Sequence, residues 1–182
     1  MVKKERAAMK TIQRVTLLGA VIFLFVAADK SEAANLYGTV GFGGGSSALW
    51  GEGEPGGIAA GGTVTYRKDG PSVSVRLAGV TSFELFSSYE ESLSEVAVMG
   101  GWDFFFPYSA SLGLRLGIGR ISYHSGYADA HSWDISGNGW GPALQFDAYW
   151  KRVGFTYMIH TGSTESFSAL LFCFRYGNIS KD

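Results

Sequence analysis

Ser111-Leu112-Gly113-Leu114-Arg115-Leu116-Gly117-Ile118 is the stretch on which the fold turns. Leu or Ile recurs at every second position, and between them stand Ser, Gly, Arg and Gly. A period of two puts the apolar set on one face of a β-strand and the small or polar set on the other. A strand face turned to water would more often carry many Lys and Glu. Small residues with an isolated charge suit a narrow, enclosed space.

The same alternation recurs along the chain. Val73, Val75 and Leu77 oppose Ser72, Ser74 and Arg76; Val96, Val98 and Trp102 oppose Glu95, Ala97 and Asp103. Leu144, Phe146 and Trp150 oppose Ala143, Gln145 and Asp147. Alternation and breakers together predict eight strands at 35–44, 57–67, 72–84, 93–103, 109–123, 139–150, 153–162 and 166–176. Most approach the roughly 9–11 residues of a tilted membrane strand. The connections at 68–71, 104–108 and 151–152 are tight, whereas 45–56, 85–92 and 124–138 are longer and polar or glycine-rich. Short turns at one end and long loops at the other are the habit of outer-membrane barrels. A water-soluble barrel around a small apolar ligand would need the leucine-rich faces turned inward.

The first 33 residues read differently. Lys3, Lys4, Arg6, Lys10 and Arg14 precede an uncharged run from Val15 to Ala28, too short to span a bilayer, and Ser31-Glu32-Ala33 supplies the small residues of a cleavage site. Residues 1–33 are expected to be a cleaved signal peptide for the general secretory pathway, residues 34–176 the barrel, and 177–182 a short tail. Met9 to Ala33 alone would also make a complete signal.

The full chain holds 15 basic and 16 acidic residues, and removing the leader leaves a net charge of about −4. That balance argues against binding nucleic acid through its phosphates. Cys173 is the single cysteine, which excludes an intramolecular disulfide and a cysteine zinc cluster. The glycines Gly41 and Gly43 to Gly45 are followed by no P-loop lysine.

Aromatics add a further pattern. Tyr66, Trp102, Phe104, Tyr108, Trp150 and Tyr176 fall at the short-turn ends of the strands, and Phe83, Tyr123, Trp140 and Phe167 towards the other ends. Two such bands are expected where amphipathic rings meet two membrane interfaces. The expected fold is therefore an all-β, eight-stranded antiparallel up-and-down transmembrane barrel.

Residues 35–176 resemble the small eight-stranded outer-membrane barrels, the OmpX-like, opacity-type and OmpA-type membrane domains. The turn and strand from Phe106-Pro107-Tyr108 through Gly113, Gly117 and Gly119 is similar to a pattern common among them. The resemblance implies a porin-like fold in the outer membrane of a Gram-negative envelope. Its expected partners are outer-membrane lipids, lipopolysaccharide and the barrel assembly machinery, with a monomeric state and no cofactor. One departure is that Phe174-Arg175-Tyr176 is followed by Gly177 to Asp182, where such barrels usually end on an aromatic.

Three sets of residues could carry chemistry. Arg76, Glu95 and Arg115 fall on interior faces of consecutive strands and are expected to form a charge network that plugs the lumen. His124, Asp129, His131 and Asp134 are weak metal candidates in a loop whose spacing fits no closed motif, so no metal is expected. Met158-Ile159-His160-Thr161-Gly162-Ser163, followed by Glu165, resembles the end of the lipid A deacylase barrels. By that resemblance His160 would be the base and Glu165 its orienter. Gly162 stands where that family keeps its serine, which leaves Ser163 as the alternative nucleophile. The main expectation is a non-catalytic scaffold presenting surface loops for envelope integrity or surface interaction. The alternative is a deacylase-like esterase.

Envelope-extracted protein should begin at Ala34 or Asn35 by intact-mass measurement, because Ser31 and Ala33 satisfy the small-residue requirement. Protein retaining residues 9–33 would contradict the cleavage assignment.

Overall fold

Alternating β-branched, aromatic and small residues favour extended backbone, and every extended strand needs partners for its N–H and C=O groups. A sheet that closes on itself supplies them all and leaves no edge. The computed structural model, which describes residues 36–49, 56–68, 70–83, 89–127, 135–162 and 165–177, is such a closed sheet. Its strands are β1 (Leu36–Leu49), β2 (Gly56–Arg67), β3 (Pro71–Phe83), β4 (Tyr89–Phe105), β5 (Ala110–Tyr127), β6 (Ile135–Trp150), β7 (Val153–Thr161) and β8 (Glu165–Gly177). All neighbours are antiparallel and in chain order, and β1 pairs with β8 to close the wall.

At the closing seam the register sets Gly41 opposite Cys173 and Gly43 opposite Leu171. Leu171 and Cys173 are buried inside, and the glycines leave the room they occupy. A Cβ on Gly43 would overlap the carbonyl oxygen of Leu170.

The faces are arranged in reverse of a water-soluble barrel. Leu112, Leu114, Leu116 and Ile118 point outward, with Leu116 63% exposed, and so do Val73, Val96, Val98, Phe146 and Phe155. Inside lie Arg76, Glu95, Asp103, Arg115, Gln145 and Asp147. An apolar ligand chamber is therefore excluded as the use of the leucine-rich face.

Two sequence expectations change. Strands β4 to β6 are longer than their apolar alternation indicated, leaving 84–88 and 128–134 as the connections outside the described residues, and 50–55 shortens likewise. The added pairs include Ser92 with His124, Ser122 with Asn138 and His124 with Ser136. Their outward residues are polar, so hydropathy gave no signal, while backbone pairing continues past the apolar zone. The second aromatic band also thins. Phe167 is buried, and Tyr123 packs against the interior cluster, so only Trp140 of that set is shown facing outward. The side chain of Phe83 lies outside the described residues. At the short-turn end Tyr66, Trp102, Phe104, Tyr108 and Trp150 are all exposed on the outside.

Replacing Leu114 by Arg should destabilise the barrel in bilayers by about 2–4 kcal/mol if the residue lies near the midplane. Leu114→Ile should stay within about 1.5 kcal/mol of the parent. Reversible urea unfolding in vesicles measures both, and equal stability of the two variants would move Leu114 out of the lipid-facing set.

Candidate functional site

Charge inside so narrow a wall must be paired; the ion pairs join neighbouring strands, and further hydrogen bonds reach across the barrel. Towards the long-loop end, Arg76 of β3 chelates Glu95 of β4: Nε donates to Oε2 at 2.7 Å and Nη2 to Oε1 at 2.8 Å. The same guanidinium reaches the far wall, where Nη1 donates to the Leu144 carbonyl at 2.9 Å and Nη2 to that of Ile159 at 3.3 Å. His160 of β7 joins through Nδ1, 2.7 Å from Glu95 Oε1. With the carboxylate accepting, Nδ1 carries the proton. The imidazole lies parallel to the Phe167 ring, centroids 6.1 Å apart. Its Nε2 is buried with no hydrogen-bond partner among the described residues.

Towards the short-turn end, Arg115 of β5 is clamped between Asp103 of β4 and Asp147 of β6. Its Nη2 also donates to the Tyr37 hydroxyl, which donates in turn to Asp103 Oδ2 at 2.7 Å. Asp147 is further held by Thr156 Oγ1 at 2.7 Å and by the Gln145 amide at 3.0 Å. Two carboxylates around one guanidinium leave an excess negative charge. Arg175 lies 5.6 Å from the Tyr37 ring centroid, donates to Ser111 Oγ at 2.6 Å and sits 4.1 Å over the Tyr149 ring. Gly113 leaves the space for this clamp, since a Cβ there would come within 2.8 Å of Asp103 Oδ1 and 2.9 Å of Arg115 Nη1.

The structure thus brings Arg76 and Glu95 together, while Arg115 takes other carboxylates. Asp103, Asp147 and Gln145 were visible on the polar faces of the sequence but were not singled out. Their signal was shared parity with Glu95 and Arg115 on neighbouring strands. Thr156 and Arg175 carried the same parity signal, each between two outward aromatics, whereas Tyr37 gave less because an aromatic reads equally well on either face.

His160 is 0% exposed and directed into the interior, with Glu95 as the carboxylate at Nδ1. Glu165 is also buried inside. Ser163, Asp129, His131 and Asp134 lie outside the described residues. His124 is half-buried near the end of β5. No group of three or more potential metal ligands occurs among the described residues.

No protein-family profile matches the sequence, and no curated protein matches it. Solved structures do match in fold. Neisserial surface protein A aligns at 12% identity and a TM-score of 0.61, covering 77% of this chain and 95% of that one. Ail, the attachment invasion locus protein of Yersinia pestis, aligns at 14% identity and a TM-score of 0.55, covering 78% and 99%. The chain has the fold of the small eight-stranded outer-membrane barrels.

Removing Glu95 as Glu95→Ala should cost about 3–5 kcal/mol, because Arg76 is left charged and uncompensated. Combining it with Arg76→Ala should recover part of that loss. Combining it with Arg115→Ala should be additive within about 0.5 kcal/mol. Denaturant titration of the two double-mutant cycles separates the pairings, and coupling to Arg115 instead of Arg76 would contradict the geometry.

Proposed function

We propose that this chain is an integral protein of a bacterial outer membrane, a plugged, non-catalytic barrel that presents its long loops at the cell surface. The carrying observation is the inversion of the wall: apolar outside, charged and packed inside. The height of the outer belt supports it. On β6, Trp150 and Trp140 both face outward and stand ten residues apart, level with Ala110 and Arg120 of β5. At about 3.3 Å per residue and a tilt near 40°, that separation is about 25 Å along the membrane normal, the height of a lipid-facing band.

The interior supports a closed lumen. Arg76, Arg115, Met99, Ile121, Met158, Leu171, His160 and Gln145 are each fully buried within the wall. Eight strands leave a space that side chains can fill. With His160 turned inward, away from the surface where a lipid ester would lie, the esterase alternative is not adopted.

The loops are then the part free to meet partners. Ail has been solved in complex with the heparin analogue sucrose octasulfate. The loop sequences here point away from such a polyanion: 50–55, 84–88 and 128–134 carry Glu52, Glu54, Glu84, Asp129 and Asp134 with no Lys or Arg. A neutral or cationic surface suits them better.

The test is refolding into phospholipid vesicles followed by planar-bilayer recording. Protease-resistant β-structure in the vesicles with no steady conductance is the expected result. A protein that stays monomeric in water without detergent would overturn the membrane reading, and stable ohmic openings would overturn the plug.

A further inference from the structure

We propose that the short-turn end of the wall holds one anionic phospholipid, with an acyl chain in a recess over Ala148 and the headgroup phosphate at Lys151 and Arg152. The inference rests on the membrane reading above, which puts this end in the periplasmic leaflet.

The recess follows from side-chain size along two rows of the outer face. In the lower row Ala148 stands between Leu112 of β5 and Phe155 of β7. In the row above, Phe146 stands between Leu114 and Tyr157. A methyl group ringed by much larger side chains leaves a groove of about 430 Å³. Its lining is almost wholly apolar, and its floor is paired strand backbone that cannot collapse to fill it.

The charge lies immediately below. Trp150 follows Ala148 on the same face, and its ring is fixed by Nε1 donating to the Tyr108 carbonyl at 3.1 Å. Lys151 comes next in a two-residue turn, with φ at 55° and its N–H bonded to the Ser109 carbonyl at 2.9 Å. That bond ties the turn to the neighbouring connection at Pro107–Ser109, so the cation is carried on a braced support. The Lys151 ammonium stays 5.5 Å from the Trp150 ring centroid. Arg152 is exposed beside it, and neither cation has a carboxylate partner among the described residues. Lys151 lies three positions beyond Ala148, about 10 Å along a strand. That interval accommodates the glycerol ester region between a phosphate and the upper part of an acyl chain.

Charge complementarity selects the occupant. Two adjacent uncompensated cations favour a headgroup with net negative charge over a zwitterionic one. A single-chain recess beneath them favours a membrane lipid over a soluble phosphate. Lipopolysaccharide belongs to the opposite leaflet and faces the long-loop end.

The experiment is native mass spectrometry of the detergent-purified full barrel with phosphatidylglycerol or phosphatidylcholine of identical acyl chains. One retained phosphatidylglycerol, preferred at least tenfold, is expected. Lys151→Gln and Arg152→Gln should each weaken that retention about fivefold, and together abolish the preference. Lys68→Gln, at a different turn of the same end, should leave it unchanged. Ala148→Phe fills the recess and should lower retention of both lipids, with Ala148→Leu as the milder variant should Phe impair folding. Equal retention of the two lipids, a preference that survives loss of both cations, or indifference to filling the recess would each overturn the site. Insertion into phosphatidylcholine vesicles is measured alongside. Failure of the parent to insert refutes the membrane reading, whereas insertion without lipid preference refutes only this proposal.

Discussion

The structure depends on one constraint of volume: closing eight strands leaves an interior just wide enough for side chains. Several large inward residues therefore face a glycine across the ladder. Met99 stands opposite Gly117, Arg115 opposite Gly101, Leu171 opposite Gly43, and Tyr149 opposite Gly154. Overpacking by even a methylene or two costs about 1–3 kcal/mol in a well-packed core. Much of the chain's high glycine content is explained by this matching. Glycine normally weakens a strand, yet here it makes room for the residues that hold opposite walls together.

The same tightness dictates the electrostatics. Little room remains for solvent around Arg76 or Arg115, so their charge must be met by protein. Glu95, Asp103 and Asp147 do so at hydrogen-bonding contact, and further donors go to Leu144, Ile159 and Tyr37 on distant strands. These bonds run across the barrel, perpendicular to the ladder, and fix its cross-section as well as its charge. A buried pair of this kind gives little net stability compared with apolar packing, but losing one member is severe. Its value lies in tying non-adjacent strands into one arrangement.

Much of this was legible in the sequence, for a physical reason. A two-residue period survives translation into structure, so Leu112 to Ile118 declared their face and Arg76, Glu95 and Arg115 declared theirs. Strand number followed from the same period. Strand length did not, because beyond Ile118 the outward residues become Arg120, Ser122 and His124 while the backbone ladder continues unchanged. Phe167 and Tyr123 misled for a related cause. An aromatic near a strand end suits a headgroup interface or an interior plug equally, and only parity against a fixed register tells them apart. Pairing was the least legible. Parity alone could not show that Arg115 takes Asp103 and Asp147, because the choice depends on the register that sets both carboxylates opposite Gly113 on the flanking strands. His160 shows the same limit: the resemblance at its strand end implied Glu165 as orienter, whereas closure of the barrel brings Glu95, sixty-five residues away, to its Nδ1.

A wall built this way has little surface to spare in its middle. Alternate residues are committed inward to the packed interior and outward to the apolar belt, so in the proposed membrane setting recognition is left to the two rims. The rims differ in charge. At the short-turn end stand Arg67, Lys68, Lys151 and Arg152 against one turn acid, Asp69, with the Arg67 guanidinium 4.2 Å from the Phe105 ring centroid. The long-loop sequences carry only acidic charge apart from His131. On the outer wall, Arg120 and Trp140 pair across β5 and β6 at the upper edge of the belt, where apolar residues give way to Ser94, Ser122 and Asn138. In the proposed membrane setting a cation at that level stands beside the ring that marks the edge of the belt, where it can meet lipid phosphates.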